Sequence, residues 1–139
     1  MIARICENMS SQRFAAESIH VCLFGLQNCH GDDNAETKFL LRLLATHLDL
    51  LQPSELMTIH QISMSAFGLQ STTSKCSEAL EVLAALNRQM TRSSSADKID
   101  DESFGLFLSG LQVLPNIFYL LPVQALTCSY QLMSPVNEQ

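Results

Sequence analysis

An all-α fold is predicted, an αα solenoid of right-handed type with about three helical-hairpin repeats and a period of about 42 residues. Three observations predict it. The block Phe24-Gly25-Leu26-Gln27 recurs unchanged as Phe67-Gly68-Leu69-Gln70 and in part as Gly110-Leu111-Gln112, at offsets of 43 and 42 residues. The positions around the blocks agree in character: Phe14, Met57 and Ile99 lie ten residues before the glycine-flanking residue, Ile19, Ile62 and Phe104 five before, and Leu23, Ala66 and Leu108 one before. Finally, no stretch alternates apolar and polar residues for long enough to compete as a strand. The 139 residues therefore read as one domain with units at about 10–51, 52–92 and 93–133.

Each unit reads as two helices. In the first, Ile19, Leu23 and Leu26 fall at i, i+4 and i+7, on one face. Val21, Cys22 and Phe24 fill much of the remaining circumference, the mark of a helix covered on several sides. In the second helix, Asp33 and Glu36 have capping-box spacing, and Leu40, Leu43, Leu44, Leu48 and Leu51 form an apolar stripe apart from Lys38, Arg42 and Asp49. Pro53-Ser54-Glu55 suits the first turn of the next helix. Leu80, Leu83, Ala84 and Leu86 then repeat the earlier stripe up to about Met90, the run Leu80–Ala84 reading like Leu41–Ala45. Residues 91–96 form the exposed link to the third unit, whose start is marked by Ser94, Ser95 and Asp97. The early members of the acidic run from Asp97 to Glu102 face the positive end of that helix.

Composition excludes several classes. Net charge is only −6 and 47% of residues are apolar, so the chain can bury a core and is not intrinsically disordered. Eight basic against fourteen acidic residues disfavour a nucleic-acid surface, which needs concentrated positive charge. The cysteines, Cys6, Cys22, Cys29, Cys76 and Cys128, are odd in number and form no CxxC pair, which points to a reducing intracellular compartment. The first fourteen residues lack the apolar run of a secretory signal. No phosphate loop, HExxH or GxSxG occurs, and His47 and His60 stand apart in sequence from any nucleophile or orienting carboxylate. No catalytic residue and no cofactor is assigned. His20, Cys22, Cys29 and His30 match no zinc spacing, and Cys22 aligns with Ser65 and Phe107 at an interior-like position, so they read as structural and no metal is assigned.

The repeated residues themselves have structural readings. Gly25, Gly68 and Gly110, near the ends of the first helices, permit either a left-handed cap or a close helix–helix approach. Gln27, Gln70 and Gln112 satisfy backbone groups at the inter-helix turn; the alternative is a ladder of amides that reads a base or a peptide backbone.

Charge is unevenly spread. Residues 1–102 hold 21 of the 22 charges, and none falls between Glu102 and Glu138. Residues 113–133 are long enough to cross a bilayer, but Pro115 and Pro122 interrupt helix and Asn116, Gln124, Ser129 and Gln131 are polar. The preferred reading is a terminal unit whose face, with Ile117, Phe118, Tyr119 and Leu121, is covered by another protein subunit. Contact of 113–133 with lipid or a membrane protein is the further alternative.

At its Phe-Gly-Leu-Gln blocks the sequence resembles the αα-hairpin repeat families, HEAT and armadillo among them, and the organellar octatricopeptide-type and FAST-kinase-like arrays. The likeness spans about residues 10–130. It implies the solenoid architecture, an organellar setting (plastid or mitochondrion) and, from the organellar relatives, RNA binding as an alternative function. The function expected from the residues is a non-catalytic scaffold or accessory subunit docking into a larger assembly. A variant with Gln27, Gln70 and Gln112 all replaced by Ala is expected to melt early while binding its partners normally; thermal melting beside a binding assay checks this.

Overall fold

A computed structural model of the chain describes residues 12–29, 34–72, 75–93 and 100–111, together with Arg4 and Asn8. Among the described residues there are five α-helices and no strand, so the protein is all-α. These are α1 (Ala16–Gly25), α2 (Ala35–Asp49), α3 (Ile59–Gly68), α4 (Ser77–Arg92) and α5 (Asp101–Leu111), with a 3₁₀ turn over Leu26–Asn28 after α1.

Local chemistry explains where the helices begin, and in two places it differs from expectation. The cap of α2 is Asn34, whose side-chain oxygen accepts from the amides of Glu36 at 2.9 Å and Thr37 at 3.1 Å. Asp33, expected in that role, lies outside the described residues. Pro53-Ser54-Glu55 is a turn preceding α3 and not its first turn. That helix starts four residues later, where Thr58 and Gln61 close a capping box: each side chain accepts from the other's amide, at 3.2 and 3.0 Å. The box satisfies two donors that helix geometry leaves without partners, which Pro53-Ser54-Glu55 offers no means of doing. In α5 the Asp100 carboxylate accepts from the Ser103 amide at 2.6 Å, while Asp101 and Glu102 occupy the first turn. Ser94, Ser95 and Asp97 lie outside the described residues.

The apolar periodicity becomes the core. Ile19 and Leu23 of α1, Leu41, Leu44 and Leu48 of α2, Ile62 of α3 and Val82 and Leu86 of α4 are completely or almost completely buried. Burying each such side chain contributes about 1.5–3 kcal/mol. On α2 the stripe is rotated slightly from the sequence reading: Leu41 joins Leu44 and Leu48 inside, while Leu40 and Leu43 are half-buried against the core. Met57, just before α3, is buried, and Phe14, just before α1, sets its ring edge-on to His47 with centroids 4.9 Å apart.

The helices form two layers. α3 packs between α1 and α5, and α4 packs on α2; narrower contacts join α1 to α2 and α3 to α4. Neighbours within a layer run parallel. Gln61 near the start of α3 donates to Glu17 near the start of α1, at 2.8 Å, and Phe67 near its end stacks on Phe24, with ring centroids 6.1 Å apart and planes at 28°. Ser71 then donates to the carbonyl of Gln27, joining the corners that follow the two helices.

The glycines make the first layer possible. None of Gly25, Gly68 and Gly110 adopts the left-handed backbone, so of the two readings of these residues the structure displays the close approach, at Gly68 and Gly110. A Cβ on Gly68 would overlap the main-chain carbonyl of Leu23 and stand 2.9 Å from Cα of Phe24. One on Gly110 would overlap the carbonyl of Ala66 and stand 2.7 Å from the amide nitrogen of Phe67. At Gly25 an added Cβ meets nothing within 4 Å. Backbone cannot retreat as a flexible side chain can. Gly68→Ala and Gly110→Ala are therefore expected to cost about 1–3 kcal/mol each through overpacking. Gly25→Ala should be neutral or stabilising by about 0.5 kcal/mol, because alanine is the better helix former. Urea denaturation of the three variants checks the contrast.

Candidate functional site

The site residues expected from sequence fall into two groups. Ile117, Phe118, Tyr119, Leu121 and Gln112 lie outside the described residues. Gly25, Gln27, Gly68, Gln70 and Gly110 are described, and the fold gathers them at the ends of α1, α3 and α5. Gln27 sits half-buried in the 3₁₀ turn, and its main-chain carbonyl accepts the Ser71 hydroxyl. Gln70, also half-buried, donates its amide to the Phe67 carbonyl at 3.0 Å. The Gln27 carbonyl is thus met by a serine hydroxyl and the Phe67 carbonyl by main chain.

The second layer carries the polar ties. Arg42 of α2 donates to Glu78 of α4 at 2.8 Å. Arg88 of α4 grips Asp49 with two parallel bonds, at 2.9 and 2.8 Å, the forked geometry guanidinium and carboxylate favour. Gln89 is fully buried and donates to the Leu48 carbonyl at 2.8 Å; Arg92 donates to Leu51 at 3.2 Å, and the Ser93 hydroxyl to Met57 at 3.0 Å. The bonds to Leu48 and Leu51 reach carbonyls at the end of α2, where intrahelical donors run out. None of these ties was read from the sequence. The only signal available was register, since the partners lie 36 to 41 residues apart.

Two clusters merit a chemical test. His60 Nδ1 lies 3.0 Å from the Ser103 hydroxyl, with Asp100 beside them. In a nucleophilic triad the carboxylate orients the imidazole, which takes the serine proton. Here Asp100 instead accepts the Ser103 amide, and Ser103 is 1% exposed, so the hydroxyl is shut away from any substrate. The cluster secures the start of α5 against α3. The Asp100 carboxyl is held below its ordinary value, first by the Ser103 amide, then by the Ser103 hydroxyl and, more weakly, by His60. In the second cluster His20 is buried beside Glu17, with 3.7 Å between Nδ1 and Oε2. Cys22 is half-buried and its thiol is pushed up by burial, while Cys29 is exposed; His30 lies outside the described residues. Among the described residues no three His, Cys, Asp or Glu side chains converge as a metal site, and no helix is long and apolar enough to cross a membrane.

Among the described residues, neither cluster brings a nucleophile and a base together in the open. No family model, no curated protein and no solved structure matches the chain.

Glu78 offers a probe of the second layer. Its carboxyl is held below the ordinary value of 4.5, chiefly by its own amide at the start of α4, with burial opposing and Ser77, Arg42 and Lys38 assisting. A carboxylate lowered in the folded state adds stability above its unfolded pKa, and that stability disappears as pH falls through the folded value. Urea titrations across pH 3–7, roughly the range in which carboxylates change charge, are expected to show the native chain losing its advantage over Glu78→Gln on the acid side.

Proposed function

We propose that the chain is a non-catalytic αα-solenoid scaffold or accessory subunit. In this reading the first helix of each unit stacks on the first helix of its predecessor, and the chain docks into a larger protein assembly through its uncharged C-terminal stretch. The observation that carries the reading is the recurrence of one contact. Gly68 closes on the carbonyl two residues before Gly25, and Gly110 on the carbonyl two residues before Gly68. Contacts between main chains leave little freedom for hinge or shear, which is what a surface-presenting scaffold requires and a closing enzyme does not.

Residues 117–121 supply the anchors in this proposal. Ile117, Phe118, Tyr119 and Leu121 are large, apolar or amphipathic, and free of charged neighbours, the residue types that dominate binding energy when desolvated. The competing organellar RNA-binding reading is disfavoured by the engagement of Arg42 and Arg88 with carboxylates, which leaves less positive charge for phosphates. A reducing intracellular compartment, organellar by resemblance, is the proposed setting.

Size fractionation of the native protein in its own extract tests the proposal. The chain is expected to travel with an assembly much larger than its own 15.4 kDa, and Ile117→Asp with Phe118→Asp should release it. A native chain that migrates alone overturns the docking role. Nucleic-acid affinity that falls steeply with salt would establish the competing reading in its place.

A further inference from the structure

Four large hydrophobic residues are exposed among the described residues: Val21, Phe39, Leu50 and Leu108. Their placement is not random. Val21 follows Ser18 and precedes Gly25 at helical spacing, so the three share a stripe on α1. The corresponding stripe of α3, with Gln61 and Gly68, is the one that closes on α1. Phe39 and Leu50 sit 39 residues before Glu78 and Gln89, the same offset that relates Leu41–Ala45 to Leu80–Ala84. Glu78 and Gln89 are residues through which α4 bonds to α2. Val21, Phe39 and Leu50 therefore occupy, on α1 and α2, the positions by which later helices grip earlier ones, and among the described residues they stand exposed.

Leu108 lies at the opposite edge. The carbonyls of Leu23 and Ala66 receive Gly68 and Gly110, and the next member of that series is Leu108. Leu108 is exposed, and Gly105 one turn earlier would meet nothing within 4 Å if given a Cβ. From α5 the chain continues without a charge as far as Asn137.

We propose that these edges are complementary and that a second copy of the chain docks head to tail, the Gly25 face of one copy on the Leu108 face of the next. The existing contacts dictate the register. Gly68 on Leu23 and Gly110 on Ala66 both translate to Gly25 on Leu108. Gln61 on Glu17 and Ser103 on His60 both translate to Ser18 on Glu102, a hydroxyl facing a carboxylate. Both of these side chains are exposed in the single chain. Because two different faces meet, association does not stop at two copies by symmetry but continues as a ring or an open row. The inference rests on the packing of α1 to α5 and stands or falls apart from docking by residues 117–121.

Sedimentation equilibrium of the purified full-length chain tests it. Mass is expected to rise with concentration beyond that of a dimer. Val21→Glu spoils one face and Leu108→Glu the other, so each variant alone should associate at least about tenfold more weakly. Mixed in equal amounts, the two variants retain one sound face of each kind and should form a complex of twice the chain mass that grows no further. Gly25→Leu, which fills space left open in the single chain, should act like Val21→Glu and serves in its place if that variant misfolds. A wild-type chain that stays monomeric at all concentrations overturns the proposal. So does a mixture that associates no better than either variant, or single variants that associate like wild type.

Discussion

Peptide planes pressed together across Gly68 and Gly110 are the constraint on which the other contacts depend. With no Cβ at either position, the end of each helix can rest on the main chain of its neighbour, over Leu23 and Phe24 in one case and Ala66 and Phe67 in the other. That approach brings the rings of Phe24 and Phe67 into a stack and puts the Ser71 hydroxyl within reach of the Gln27 carbonyl. It also lines up the opposite ends of the helices, where Gln61 meets Glu17 and His60 meets Ser103. Gln61 is shared between its own helix cap and this inter-helix bond, so capping and packing at the start of α3 are coupled.

The layers divide the physical work. The first is joined by main-chain proximity, with Gln61–Glu17 and His60–Ser103 at the helix starts; the second adds arginine and glutamine ties to its buried apolar stripe. Solvent-exposed ion pairs such as Arg88 with Asp49 contribute only about 0.2–1 kcal/mol. Their effect is directional: the Arg88 fork, with Gln89 bonded to the Leu48 carbonyl, admits one register of α4 along α2. Buried Leu and Ile side chains supply the greater stabilisation but tolerate sliding. A rigid two-layer body results from combining the two, and rigidity is the physical basis of the proposed scaffold role.

Much of the helical content was legible in the chain because apolar periodicity reports directly on which face is buried. Ile19 with Leu23, and Leu44 with Leu48, were readable in this way. Helix starts were less so. Asn34 and Thr58 are ordinary polar residues until their side chains find a free amide, and several nearby residues compete for that role. The Thr58–Gln61 spacing was present in the sequence, but the turn residues Pro53-Ser54-Glu55 carried an equally familiar signal nearby. The inter-helix bonds of Ser71, Glu78, Gln89 and Ser103 carried no local signal. Those partners lie 36 to 44 residues away, and only the folded register defines which atoms meet.

The sequence by itself determined that the protein is helical, where its apolar faces run, and that glycines recur at positions 25, 68 and 110. Those properties are local: they depend on side-chain type and on spacings of three, four and seven residues. Tertiary structure decided what the glycines do. The same residue type closes on backbone at positions 68 and 110 and faces open space at position 25, because an earlier helix lies beneath the first two and none among the described residues lies beneath the third. Likewise, Val21 and Leu23 are both apolar residues of one helix, yet one is exposed and the other buried. The difference lies in which neighbour each side of the helix meets, a property of the packed molecule that no single residue carries.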